Sequence, residues 1–444
     1  MCLAAGYGFL TTIGSGQDAI DVIYVGGSYY DMGYWYGELL EADIAASVDY
    51  ALGVLAGAGY TEEALLAVWA QAEPYIPTRY IEEMQGLADG CLAANPSTTI
   101  TLDKVHAMHI VPEADQVQCS SFAAFGAATA DGHVYQTRNL DWTMDLLVQN
   151  YPVIMVCDPY GEQRYANVSF AGMLLPIAGM NISGLAIGQI SGYSSDDTYA
   201  GLPVFMRLRN VLEQAHDLTE AVPIMTSGGG TWGTDIVIGC GATNNGYAFE
   251  ISANNYAVIG DNETLVDASD PGAYIITDGD KPALPIDDVV YRADVAFASN
   301  MRALQYGGWG YTPRYVGQHD PLVTNWGVID ENVARSIAQA VAMSSCVISA
   351  IYDNTTQEMW VSFAQDYTPA QNLTYQYFNL HDYFCTFDDV SMLHWAYGYI
   401  EAIARDGITG GCQADPPLYC PIGQVTRGQM AVFLCRAAGK TWLD

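Results

Sequence analysis

Cys119 opens an apolar stretch, Gln118-Cys119-Ser120-Ser121-Phe122-Ala123, and within two predicted strands come Thr129-Ala130-Asp131-Gly132-His133 and Arg138-Asn139-Leu140-Asp141-Trp142. These types in this order offer a nucleophile, a cation that favours thiolate, and a carboxylate that can hold an amine. By residue type alone, a cysteine that begins an apolar strand also fits a small buried hydrophobe. His106 and His109, with Glu113 nearby, sit at i,i+3 spacing on a helix without a third firm ligand, which reads as packing and not as a metal site. Ser227-Gly228-Gly229-Gly230 lacks the Gly-Lys-Ser/Thr ending of a phosphate loop and reads as a turn.

Several elements must position these groups. From Asp43 to Leu92 apolar residues recur at helical spacing, through Ala64-Leu65-Leu66-Ala67-Val68-Trp69 and again through Tyr80-Ile81-Glu82-Glu83-Met84, with Pro74 and Pro77 separating two helices. Beyond residue 119 the texture becomes β-rich and glycine-punctuated, as in Val153-Ile154-Met155-Val156, Leu185-Ala186-Ile187, Ile236-Val237-Ile238 and Tyr247-Ala248-Phe249-Glu250. Helical patterns interrupt this mostly antiparallel region at Val204–Ala215, Thr219–Met225 and Glu331–Met343, a grouping that predicts layered α+β. Near residue 385 the composition shifts to a helical tail: Trp395–Arg405 stops at Asp406-Gly407, and Thr426 is the predicted N-cap of Arg427–Arg436.

The chain has 444 residues, half of them hydrophobic, which suffices for a large core. No uninterrupted apolar run approaches the roughly 18 residues needed to cross a bilayer. Fifty acidic against 15 basic residues give a net charge of −35, a field that repels phosphate backbones and disfavours nucleic acid as a partner. Met1–Ile13 is apolar but lacks the positive n-region of a secretory signal, so export is not legible there. Four segments are expected: 1–20 as a trimmed leader, 21–118 as an N-terminal helical segment, 119–384 as a β-rich core, and 385–444 as a separate module.

The sequence resembles the autoproteolytic acyltransferases and hydrolases typified by acyl-coenzyme A:isopenicillin N acyltransferase, which are cysteine N-terminal-nucleophile (Ntn) hydrolases. The likeness runs through Gly27-Ser28-Tyr29-Tyr30-Asp31-Met32-Gly33 with Gly37, Glu83-Met84-Gln85-Gly86-Leu87-Ala88-Asp89-Gly90, Cys119-Ser120-Ser121-Phe122, Arg138-Asn139-Leu140-Asp141-Trp142 and Gly179-Met180-Asn181, to about Leu380. It implies a four-layer αββα fold and self-cleavage between Gln118 and Cys119. A freed α-amine, with an ordinary pKa of about 7.7–8.0, then serves as general base, and no histidine, metal or cofactor is required. The same resemblance implies that Asp141 holds the Cys119 amine and that Arg138 sits beside the sulfur. Asn300, in Ala298-Ser299-Asn300, is implied as an oxyanion donor, although Ser299 and Met301 depart from the usual neighbours. Asn181 fits either a donor or a hairpin-turn residue, and Gln189 and Ser191 lie where relatives place a second donor. Arg314 fits either a late active-site arginine or a surface one.

The tail resembles a single surface-layer homology (SLH) unit, through Phe387-Asp388-Asp389-Val390, His394-Trp395-Ala396, Gly407-Ile408-Thr409-Gly410-Gly411 and Val425-Thr426-Arg427-Gly428-Gln429-Met430-Ala431. Such units imply binding to bacterial cell-wall polysaccharide, commonly in sets of three. Cys412 and Cys420 flank its loop, where an oxidising compartment would allow a disulfide, and Cys435 reads as buried in the last helix. The expectation is an exported or cell-surface cysteine hydrolase or acyltransferase acting on a small-molecule acyl amide or acyl donor through a Cys119 thioester. The alternative is a wall-bound structural protein with a non-catalytic acylase-like domain.

Overall fold

Ile20-Asp21-Val22-Ile23-Tyr24-Val25 is almost wholly apolar and β-favouring, a pattern suited to a strand covered on both faces. In a computed structural model of the chain it is the second strand of a large sheet, with Val22, Ile23 and Val25 fully buried. The structure describes residues 6–114, 118–306, 310–383, 387, 389–390, 396, 399–400, 403–404, 408–414, 417–438 and 440. Two units follow one another, Met1–Phe378 and Asn379–Asp444.

In the first unit the early strands are β1 (Tyr7–Ile13), β2 (Ile20–Gly27), β3 (Gln118–Ala124), β4 (Tyr135–Asp141), β5 (Pro152–Pro159) and β6 (Tyr165–Phe170). The middle strands are β7 (Ala178–Asn181), β8 (Leu185–Ser191), β9 (Thr234–Cys240), β10 (Asn245–Ile251), β11 (Tyr256–Gly260) and β12 (Thr264–Ala268). The last are β13 (Val289–Arg292), β14 (Cys346–Asp353), β15 (Glu358–Phe363) and β16 (Gln376–Asn379), whose final residue crosses the unit boundary. A ten-stranded sheet has the order β1-β2-β5-β6-β7-β8-β9-β10-β11-β12, and a six-stranded sheet the order β13-β3-β4-β14-β15-β16. Pairing is mostly antiparallel, with β2 parallel to β5.

Four helices precede β3: α1 (Tyr29–Gly57), α2 (Glu62–Ala72), α3 (Thr78–Ala94) and α4 (Leu102–Ala114). Then come α5 (Val204–Gln214), α6 (Leu218–Thr226), α7 (Ser299–Arg302), α8 (Gly317–Thr324) and α9 (Glu331–Val341). α1, α5 and α6 lie on the ten-stranded sheet, α9 lies on β3, β4 and β14, and β3 and β4 face β8 and β9 across the middle. This is the four-layer αββα arrangement of an α+β fold. The two sheets meet closely: a Cβ on Gly188 would stand 2.1 Å from the Ser121 hydroxyl oxygen. Gln136 stitches them by donating to Val237 O at 3.0 Å and accepting from Gly239 N at 2.7 Å.

The expected helical reading of residues 21–118 needs correction at its start. Residues 7–13 and 20–27 are strands of the main sheet, and the helices start only at Tyr29, where Ser28 and Asp31 form a capping box. α1 and α3 cross backbone to backbone. A Cβ on Gly33 or Gly37 would lie 2.0 and 2.2 Å from the carbonyl oxygens of Glu83 and Leu87. Reciprocally, one on Gly86 or Gly90 would lie 2.2 and 2.0 Å from those of Tyr30 and Tyr34. The crossing is completed by ionic contacts from α5: Arg209 lies 2.5 Å from the buried Glu83 carboxylate, at an angle poor for a hydrogen bond, and donates to Glu213 at 2.7 Å.

In the second unit the expected helix over Trp395–Arg405 and the entry Phe384-Cys385-Thr386 lie largely or wholly outside the described residues. Cys412 and Cys420 are bridged, and Asp389 accepts from Tyr419 N and Cys420 N, each at 2.7 Å. Thr426 caps α10 (Arg427–Ala437) in a capping box with Gln429. Cys435, expected to be buried, is exposed, because α10 buries none of its residues and leaves Met430, Val432 and Leu434 open.

The helix crossing predicts a sharp contrast between glycines. Gly86→Ala should destabilise the chain by at least about 1–3 kcal/mol through overpacking. Gly53→Ala, on the same helix layer with nothing within 4 Å of its Cβ, should stabilise by about 0.5–1 kcal/mol. Urea midpoints of the two variants against wild type measure both effects.

Candidate active site

The site sits where β13, β3 and β4 run side by side. Cys119 pairs with Leu140 of β4, and Gln118 pairs with Asp141. On the other side Arg292, the last residue of β13, pairs with Ser121, and the chain continues through Ala293 to Asp294. Alternation then sorts the side chains by face. Ser121 and Arg138 turn inward, Ser121 against Gly188 and Arg138 toward Gln189 of β8. Asn139 and Asp141 turn outward, Asn139 donating to Ala338 O of α9 at 2.8 Å and Asp141 accepting from Met343 N at 2.9 Å.

Cys119 is completely buried. Burial above all, with the Asp141 charge adding, pushes its thiol up against the opposing charges of Arg138 and Arg314. Arg138 acts in the expected direction, toward thiolate, and desolvation works against it. Arg138 is itself fully buried and donates to Asn139 O at 2.5 Å, Ile177 O at 3.5 Å and Gln189 Oε1 at 3.5 Å. Gln189 is anchored in turn by donating to Thr234 Oγ1 at 3.1 Å.

Arg314, left open between active site and surface, is buried on a short π-helical turn, Tyr311–Val316. One guanidinium nitrogen pairs with Asp141 and the other reaches Asp294 Oδ2 at 3.3 Å. Asp141 is thus occupied by Arg314 and the Met343 amide. Asp294, held by the same guanidinium, is the carboxyl near the Cys119 N–H, and its Oδ1 takes no hydrogen bond. Burial above all, with Asp141 adding and Arg314 opposing, pushes the Asp294 carboxyl up to about 7. Cys346, opposite Asp141 on β14, is a second buried thiol in the cluster, also pushed up by burial.

A second ionic set pins the segment that carries Asp294. Arg292 pairs with Glu250 at 3.2 Å and with Glu263 at 2.8 Å. Glu250 accepts from Phe297 N at 2.7 Å and Ala298 N at 2.9 Å, while Gln305 accepts from Ala296 N at 3.0 Å and donates to Asp294 O at 3.3 Å.

Asn300 does not join the cluster. It donates to Tyr256 O at 3.0 Å and Ser269 Oγ at 3.3 Å, tying α7 to β11. Asn181 is engaged at its turn, donating to Leu212 O and Ala215 O and accepting from Ser183 N and Leu185 N. Ser191 ends β8, two residues beyond Gln189. His106 stacks on Trp69 at 4.1 Å, and His109 bridges Val105 O and Leu174 N. Sequence reasoning missed Asp294 and Cys346. The signal for the first was Arg292-Ala293-Asp294, two charges within the otherwise apolar run Val289–Ala298. Elsewhere a cleft of about 350 Å³ is lined by Gln17, Asp18, Gln149, Asn150, Gln365 and Asp366, with none of the cluster on its walls.

Comparison with known proteins places the chain near acyl-transferring enzymes. The model of the acyl-coenzyme A:6-aminopenicillanic acid acyl-transferase family matches residues 128–267, a span that holds Arg138, Asp141, Asn181 and Gln189. Protein dcd1A of Dictyostelium discoideum is 25% identical over 403 residues, covering 83% of this chain and 85% of that protein. An uncharacterized protein of Archaeoglobus fulgidus is 27% identical over 281 residues, covering 56% of this chain and 46% of that protein, so the match spans less than half of the archaeal relative. Among solved structures, the Caenorhabditis elegans N-acylethanolamine-hydrolyzing acid amidase ortholog has 17% identity and a TM-score of 0.38, covering 53% of this chain and 93% of its own. Penicillin V acylase from Agrobacterium tumefaciens has 10% identity and a TM-score of 0.32, covering 55% of this chain and 83% of its own.

The cluster predicts unequal costs for two substitutions. Arg314→Met leaves two buried carboxylates without their cation and should cost about 3–5 kcal/mol. Asn300→Ala removes ordinary hydrogen bonds and should cost about 1 kcal/mol. Chemical denaturation of both variants checks the order, which reverses if Asn300 and not Arg314 organises this end of the sheets.

Proposed function

We propose that the chain is a self-processing cysteine hydrolase or acyltransferase of the Ntn type, cutting between Gln118 and Cys119 and then attacking acyl amides with the Cys119 thiol. The observation that carries this reading is the arrangement at Cys119: a buried thiol on β3, with Arg138 on the neighbouring strand β4 and the Arg314 guanidinium holding Asp141 and Asp294 on either side. The match of residues 128–267 to an acyl-transferring family supports it independently.

In the mature form the Cys119 α-amine has an ordinary pKa of about 7.7–8.0 and takes the thiol proton near neutrality. The thiolate attacks the acyl carbonyl, the amine leaves with the proton, and a thioester remains on Cys119. Arg138 and Arg314 supply fixed positive charge to the anion that develops, in a site where burial makes such charges count. Water then releases the acid, or an amine takes the acyl group; hydrolysis of an amide is the favoured outcome. The second unit is proposed to hold cell-wall polysaccharide, on the strength of its SLH-like sequence.

Intact-mass measurement tests the first step. Wild type should separate into residues 1–118 and 119–444, and Cys119→Ala should stay whole. A wild-type chain that never cuts would sink this reading in favour of the non-catalytic one. The tail has its own test: a chain ending at Phe378 should still cut itself but no longer sediment with bacterial cell-wall polysaccharide. Undiminished sedimentation would end the anchoring proposal without touching the chemistry.

A further inference from the structure

Breaking the Gln118–Cys119 peptide bond requires a proton on the departing nitrogen. Before the cut that nitrogen is an amide, which is no base, and the α-amine of the mature enzyme does not yet exist. The uncut chain therefore needs a different proton carrier within reach of this atom. The cluster presents one carboxyl there. Asp294 lies two residues beyond the Arg292–Ser121 pair that ends the β13–β3 ladder, near the Cys119 N–H, and pairs through Oδ2 with Arg314. Its Oδ1 is buried and has no hydrogen-bond donor. Its backbone lies at φ +55°, a conformation that aspartate tolerates and most residues do not. The packing leaves the carboxyl little freedom, since a Cβ on Gly310 would come within 2.5 Å of Oδ2.

We infer that Asp294 is the catalytic acid of self-cleavage, protonating the Cys119 nitrogen as the Gln118–Cys119 bond breaks, and afterwards the anchor of the α-amine; the inference rests on the self-processing reading above. The step balances on the chain itself. The sulfur of Cys119 bonds to the Gln118 carbonyl carbon, the carbon–nitrogen bond breaks, Asp294 gives its proton to the nitrogen, and the thiol proton restores the carboxyl. Water then hydrolyses the thioester, leaving a Gln118 carboxylate and the free thiol. A carboxyl held near neutrality by burial, facing Arg314, Asp141 and Arg138, is part protonated at the pH where this happens. Once the nitrogen is an ammonium it brings additional donors to Oδ1, so the acceptor that is orphaned before the cut is satisfied after it.

The test compares self-cleavage of full-length wild type, Asp294→Asn and Asp294→Ala by intact mass over time, with thermal melts to verify folding. Asparagine keeps the shape and an acceptor but carries no transferable proton, so Asp294→Asn should fold and cut at least about 10²-fold more slowly. Asp294→Ala should be equally slow and should recover with added formate in a saturable manner, a rescue that a purely structural role would not give. Wild type that cuts alongside an Asp294→Asn variant of equal rate overturns this inference and leaves the function intact. Uncut wild type removes both.

Discussion

A guanidinium buried between two carboxylates is stable only as a set, because removing any member strands a charge away from water. Arg314 stands in that position, with Asp141 on one nitrogen and Asp294 on another. Asp141 belongs to β4 and Asp294 follows β13, so one cation fastens the two strands that flank Cys119. The position of the thiol between them follows from this constraint and from the β register.

Around that set the molecule repeats one device at three depths. Arg292 with Glu250 and Glu263 fixes the segment after β13, and Arg209 with Glu83 and Glu213 fixes α5 to α3. A chain with few cations concentrates several of them inside, each with two acidic partners. Each set encloses one cation with two carboxylates, whereas the net charge of −35 is set by composition alone, 50 acidic against 15 basic residues.

Period and punctuation made the outer helices legible: α5, α6 and α9 fall within a residue or two of their expected spans, since each has a clear apolar face and a cap or proline at its start. The N-terminal strands were harder to recognise. β1 is half exposed and lacks clean alternation, and β2 is a continuous apolar run, which periodicity alone does not distinguish from a leader or a buried helix. At the site, Cys119, Arg138 and Asp141 are legible because they lie close in sequence, on paired strands. Asp294 lies 175 residues further along the chain than Cys119, and the β13–β3 pairing, which ends at Arg292 and Ser121, carries the segment that holds it to this end of the sheet. Asn300 matched a motif, yet its amide serves Tyr256 and Ser269. Composition does not reveal which side of a short helix turns inward.

The parallel pairing of β2 with β5 joins a strand from before Cys119 to one from after it. Under the proposed self-cleavage that ladder would become a subunit interface, and the ten-stranded sheet would be shared by two polypeptides. The uncut chain would fold as one molecule at a rate indifferent to concentration. The cut form, once denatured, would have to reassemble from separate halves that meet by diffusion, so its recovery would follow mass action. Such a molecule would be easy to make once, and hard to remake.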